Sequence, residues 1–178
     1  MRKLFLLILA VAVVALPAFA EEKEGGKPHG IGLKVGWFLP SNKSVKRAAW
    51  NGWPMLGVEF AVPGKWGKDA TLSLEGDWMS SSKTASGTKT RISMYPVLLT
   101  YRREVASRLQ VGVGAGAFDV NGKTNGKSKT RIAAGGRLFI RLPISRFFGE
   151  VAYQYCNATV GTGLKKEGGF LADVGYTF

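Results

Sequence analysis

One histidine and one cysteine in 178 residues leave little material for metal or nucleophile chemistry. His29 and Cys156 lie far apart in the chain and do not make a zinc site. A lone cysteine also excludes an intramolecular disulfide framework, so stability has to come from another source. Acidic residues are scarce, 12 against 25 basic ones. Beyond residue 20 no apolar run approaches the roughly 20 residues of a membrane-spanning helix. Neither a cofactor nor a metal is called for. Gly122-Lys123-Thr124 and Gly126-Lys127-Ser128 echo the end of a phosphate loop, but the upstream glycine is missing and no helix follows.

The first 20 residues have a different character. Arg2 and Lys3 precede an apolar core from Leu4 to Leu16, and Ala18-Phe19-Ala20 is a small-x-small cleavage site. This pattern predicts a secretory signal peptide over residues 1–20, cleaved after Ala20. Residues 21–29 are polar, with Gly25, Gly26 and Pro28, and read as a flexible tail. Cleavage leaves 23 basic residues against 12 acidic ones, a formal +11. On an exported chain, that charge points to lipid phosphates or acidic surface polymers and away from nucleic acid.

Residues 30–178 carry period-2 alternation in eight segments, the signature of half-buried strands. The first sets Ile31, Leu33, Val35, Trp37 and Leu39 against Gly32, Lys34 and Gly36; the last sets Phe170, Ala172, Val174, Tyr176 and Phe178 against Leu171, Asp173, Gly175 and Thr177. Between them the apolar parity runs through Leu56–Val62, Leu72–Trp78, Tyr95–Tyr101, Leu109–Ala117, Ile132–Leu142 and Phe147–Tyr155. That parity is free of charge. The other holds Lys34, Glu59, Glu75, Asp77, Arg137, Arg141, Glu150 and Asp173.

Connections alternate between long polar links (40–53, 80–89, 119–129 and 157–167) and shorter ones (63–69, 102–107 and 143–146). Trp37, Trp53, Trp78, Tyr155 and Phe170 fall toward one rim, and Trp66, Tyr101, Phe147, Tyr176 and Phe178 toward the other. Short turns on one side, long loops on the other and two aromatic belts describe an eight-stranded antiparallel up-and-down transmembrane β-barrel. The ending Val174-Gly175-Tyr176-Thr177-Phe178 resembles the C-terminal signature of bacterial outer-membrane barrels. With the signal peptide and the eight segments, the chain resembles the small outer-membrane barrel families typified by the OmpA transmembrane domain and OmpX. The resemblance implies an outer-membrane location. It also implies that the assembly machinery of that membrane reads Tyr176 and Phe178.

An eight-stranded barrel is just wide enough for side chains to fill it, which argues against a general diffusion pore. The charged parity is therefore expected inside as a paired network, with Arg108 and Arg131 nearer its ends and the small Gly112, Gly114 and Gly116 making room for the arginines of strand six. Lys43, Lys46, Arg47, Lys83, Lys89, Lys123, Lys127, Lys129, Lys165 and Lys166 fall in the long loops, where lipopolysaccharide phosphates are candidate contacts. The reading is a non-enzymatic outer-membrane protein with a structural or surface-interaction role. Two alternatives stay open: a soluble lipocalin-type barrel with its apolar parity inward, and a lipid-modifying enzyme working with carboxylates. The enzymes of that kind pair a histidine with a serine near the outer leaflet, and no histidine lies there in this chain.

Overall fold

A computed structural model describes residues 30–85, 87–157 and 167–178. The expected signal peptide and tail, and Lys165 and Lys166, lie outside these residues. Eight strands and one short helix make up the fold: β1 (Ile31–Pro40), α1 (Lys43–Ala48), β2 (Trp53–Ala61), β3 (Ala70–Ala85), β4 (Thr88–Ala106), β5 (Leu109–Thr124), β6 (Lys127–Ile144), β7 (Phe147–Cys156) and β8 (Glu167–Thr177). Every strand pairs antiparallel with its sequence neighbours, and β1 closes on β8 from Gly32↔Thr177 to Pro40↔Gly169. Closure removes both sheet edges, as a lipid environment requires.

The apolar parity faces outward. Val35, Leu138, Ile140, Val151 and Val174 are all more than half exposed, whereas Lys34, Glu75 and Arg137 are 1 % exposed. An apolar wall around a charged interior inverts a soluble barrel, which rules out the lipocalin-type arrangement. Trp37, Trp78, Tyr155 and Phe170 ring the wall at one end. At the other end Phe147, Tyr176 and Phe178 meet edge to face, with centroids 4.9 and 5.0 Å apart. Trp53 does not join the first belt. It is fully buried inside the barrel, edge-on to Phe38 at 5.3 Å.

Two of the expected loops are strand instead. β3 and β4 run on to a turn at Gly87, and β5 and β6 to the Asn125-Gly126 turn. Both turn residues of the second hairpin have positive φ, 46° and 83°, the geometry of the tight hairpin turn that Asn-Gly favours. Serine, threonine and lysine on both faces erase the hydrophobic alternation, yet the backbone ladder continues, with Thr90↔Thr124 and Thr124↔Lys127 still in register. The result is a four-stranded wall, β3 to β6, rising past the rest of the barrel.

The first long link also has structure. The Asn42 side chain accepts a hydrogen bond from the Ser44 N–H at 2.9 Å and caps α1, while Lys46 and Arg47 occupy the last turn. Val45 and Ala49 are buried against the lumen cluster, so the helix lies over the mouth.

Candidate functional site

The lumen has two layers. The charged one is built around two hubs. Arg137 donates from Nη1 to Glu75 at 3.1 Å and from Nη2 to Gln154 at 2.8 Å, and also pairs with Asp77. Lys34 completes this hub, 2.6 Å from Glu75 and 3.7 Å from Asp77. Thr100 donates to the second oxygen of Glu75 at 2.8 Å. In the other hub, Arg141 bridges Glu59 at 2.6 Å and Glu150 at 2.7 Å, and its guanidinium sits 4.0 Å from the centroid of Phe148. Arg102 pairs with Glu59 from the side.

Seven of the eight anticipated lumen charges are thus joined by ion pairs. Asp173 is buried but stands apart: both its oxygens lack a hydrogen-bond partner, and its cross-strand neighbour is Glu150. Five carboxylates meet four cations in this layer, and Asp173 is the surplus. Arg108 and Arg131 do not belong to the network. Arg108 occupies a turn with φ 64°, and Arg131 is exposed on the wall. Parity names the face of a residue but not its height, so strand extension carries Arg131 beyond the lumen. Arg102 joins the network for the complementary reason: in the sequence it falls in a connecting segment, whereas β4 extends past it to Ala106.

The glycines of β5 serve other tenants than the arginines. A Cβ on Gly112 would enter the ring of Phe139, one on Gly114 would meet the Thr100 methyl at 2.7 Å, and one on Gly116 would strike the backbone of Val97 and Leu98. Gly135, Gly169 and Gly175 likewise leave space for the rings of Phe118, Phe38 and Phe148. Aromatic rings folded over bare glycines fill the interior without straining the sheet.

Above the charged layer lies an apolar plug of Phe38, Trp53, Met55, Met79, Ile92, Met94, Phe118 and Val120, closed on top by Val45 and Ala49. Cys156 is buried in this cluster. Gln154 joins the layers, donating toward the sulfurs of Met79 and Met94. No group of three metal-ligating side chains occurs among the described residues.

The cations outside the lumen divide by strand parity. Lys83, Lys127, Lys129 and Arg131 continue the lumen-facing parity of β3 and β6, while Lys89, Arg91 and Lys123 continue the outward parity of β4 and β5. Arg91 is held on that outward face by its hydrogen bond to Ser80 at 3.2 Å. Lys43, Lys46 and Arg47 are exposed on and beside α1. From sequence, Lys83, Lys89, Lys123, Lys127 and Lys129 read alike as loop charges; the register separates them into two faces.

A family model for the outer membrane protein beta-barrel domain matches residues 6–178. No curated protein matches the chain. Among solved structures, Neisserial surface protein A superposes with TM-score 0.58 at 13% identity, covering 87% of this chain and 100% of its own. Ail of Yersinia pestis, solved in complex with the heparin analogue sucrose octasulfate, gives TM-score 0.56 at 12% identity, covering 84% of this chain and 99% of its own. The N-terminal barrel of Pseudomonas aeruginosa OprF gives 0.53 at 11%, covering 84% and 98%. At these identities the likeness is one of fold.

Proposed function

Because the chain belongs to the outer membrane protein beta-barrel family, we propose that it is a non-enzymatic barrel of the bacterial outer membrane acting at the cell surface through its basic hairpins. The observation that carries this reading is a lumen filled from the Arg141 hub to the α1 cap, which leaves the outer end as the working surface. Its carboxylates at mid-depth serve the network: Glu75 and Asp77 are engaged by Lys34 and Arg137, so neither is poised as a general base. Export by cleavage after Ala20, and recognition of Tyr176 and Phe178 by the assembly machinery, belong to the same proposal.

In this reading the outward cations Lys89, Arg91 and Lys123 hold lipopolysaccharide phosphates of the surrounding leaflet. Charge-assisted contacts to phosphate suit both guanidinium and ammonium groups. Ail in its complex with a sulfated sugar offers a precedent for anion contact on such a barrel. The test is the temperature at which the refolded barrel loses its SDS-resistant band, with lipopolysaccharide or its dephosphorylated form present. Phosphorylated lipid should raise that temperature for the wild type and not for K89Q/R91Q/K123Q. Equal stabilisation by both lipids would refute the phosphate contact.

A further inference from the structure

The wall of β3 to β6 has a second face that no lipid reaches. Lys83, Lys127, Lys129 and Arg131 line it on the axis side, above the plug. At its foot stands Trp50, 64% exposed although it is among the largest side chains of the protein. Its backbone is pinned on both sides. The Trp50 N–H donates to Ser81, a lumen-facing residue of β3, at 3.1 Å, and its carbonyl accepts the indole N–H of the buried Trp53 at 2.8 Å. The floor of the recess is therefore built in advance, with only the indole free to adjust.

We propose that this recess binds an anionic glycan approaching from outside the cell, with Trp50 as the platform against which a sugar ring stacks and the axis-side cations as its counter-charge. The inference rests on the surface-interaction reading above but not on the lipopolysaccharide contact, which uses the opposite face of the wall. Four features select the occupant. The axis-side positions of the wall above the plug carry Lys83, Lys127, Lys129 and Arg131 and no Asp or Glu, Asp119 lying on the outward parity of β5, so the ligand is an anion. The exposed indole requires a partner with an apolar ring face, which inorganic sulfate or phosphate lacks. Thr90 and Thr124 place hydroxyls on the same face, 3.5 Å apart, suited to a hydroxyl-bearing chain. Three inter-strand steps of about 4.8 Å make the wall roughly 14 Å wide, the scale of an oligosaccharide.

The experiment titrates a size-defined dextran sulfate oligomer into the barrel, refolded in phospholipid nanodiscs free of lipopolysaccharide, with unsulfated dextran and a single-stranded DNA oligomer of matched charge as controls. W50A and K127Q/K129Q/R131Q should each weaken dextran sulfate binding about tenfold, the loss typical of a truncated anchor. W50F should retain it, and K89Q/R91Q/K123Q should bind as the wild type does. Heat-shifted migration of each variant confirms that the barrel is closed. Equal weakening by the outward-face variant, no effect of W50A, or equal binding of the DNA oligomer would overturn the glycan assignment. Loss of lipopolysaccharide stabilisation in the outward-face variant alone reports on the other face, so the two readings fail independently.

Discussion

Arg137→Met probes the charged layer most directly, because the structure says which carboxylate would suffer. Glu75 keeps Lys34 at 2.6 Å and Thr100 at 2.8 Å after the guanidinium is gone. Asp77 keeps only Lys34 at 3.7 Å and is left buried, with its Oδ1 already lacking a hydrogen-bond partner. Removing one partner of a buried ion pair costs about 3–5 kcal/mol, largely through the stranded charge. Most of that loss should therefore sit on Asp77. Adding Asp77→Asn to Arg137→Met should recover about 2 kcal/mol, whereas adding Glu75→Gln should recover little. The assay is reversible urea unfolding in lipid vesicles, followed by tryptophan fluorescence and completed as a double-mutant cycle. A cost below about 1 kcal/mol for Arg137→Met would refute a dry, tightly coupled network. Rescue by Glu75→Gln equal to that by Asp77→Asn would refute the assignment of the stranded charge.

Asp173→Asn removes a buried carboxylate that has no hydrogen-bond partner and faces Glu150, so it should stabilise the barrel by about 1 kcal/mol in the same urea assay; destabilisation would show an unrecognised role for the charge. Gly112→Val drives a side chain into the Phe139 ring and should cost about 1–3 kcal/mol, while Gly149→Ala, whose Cβ would meet nothing within 4 Å, should be neutral. Phe178→Ala removes the end of the Phe147–Tyr176–Phe178 ring series and should slow insertion by the assembly machinery, with a stability loss of only about 1 kcal/mol; insertion at the wild-type rate would count against its role as a signal. Cys156, fully buried, should resist a maleimide in the native barrel and react after boiling in SDS; labelling of the unboiled protein would mean the plug opens.

The strand number was legible from period-2 alternation, and the inside-out parity and the lumen location of the acids from that alternation together with the aromatic belts and the C-terminal ending. What stayed hidden depends on relations between strands. Asp173 and Glu150 share the lumen parity with the other network charges, yet only register shows them facing each other. Trp53 looks like a girdle residue from its type and position near a rim; the start of β2 instead turns it inward onto Phe38. Arg102 lies where the sequence turns polar, and polar strand ends resemble loops. The same confusion concealed the wall. Its signals were the Asn125-Gly126 pair and the run of Ser and Thr in 80–93, both of which favour hairpins without any hydrophobic pattern.

Position along a strand, and not parity alone, decides what a basic residue does in this fold. Lumen-parity residues of β6 pass through three environments in order. Lys127, Lys129 and Arg131 meet water, Gly135 lies beneath Phe118 in the plug, and Arg137 and Arg141 enter the ion-pair hubs. The two lower arginines are neutralised by carboxylates from β2, β3 and β7 and cannot act outside the barrel. The three upper cations rise above the level of those carboxylates, on a face of the wall whose axis-side positions hold no Asp or Glu. An exposed charge of one sign contributes little to stability, so the basic wall is not explained by folding. A field of one sign does attract and orient an anionic partner. The barrel beneath holds that surface in place, and the unneutralised cations begin where the lumen carboxylates end.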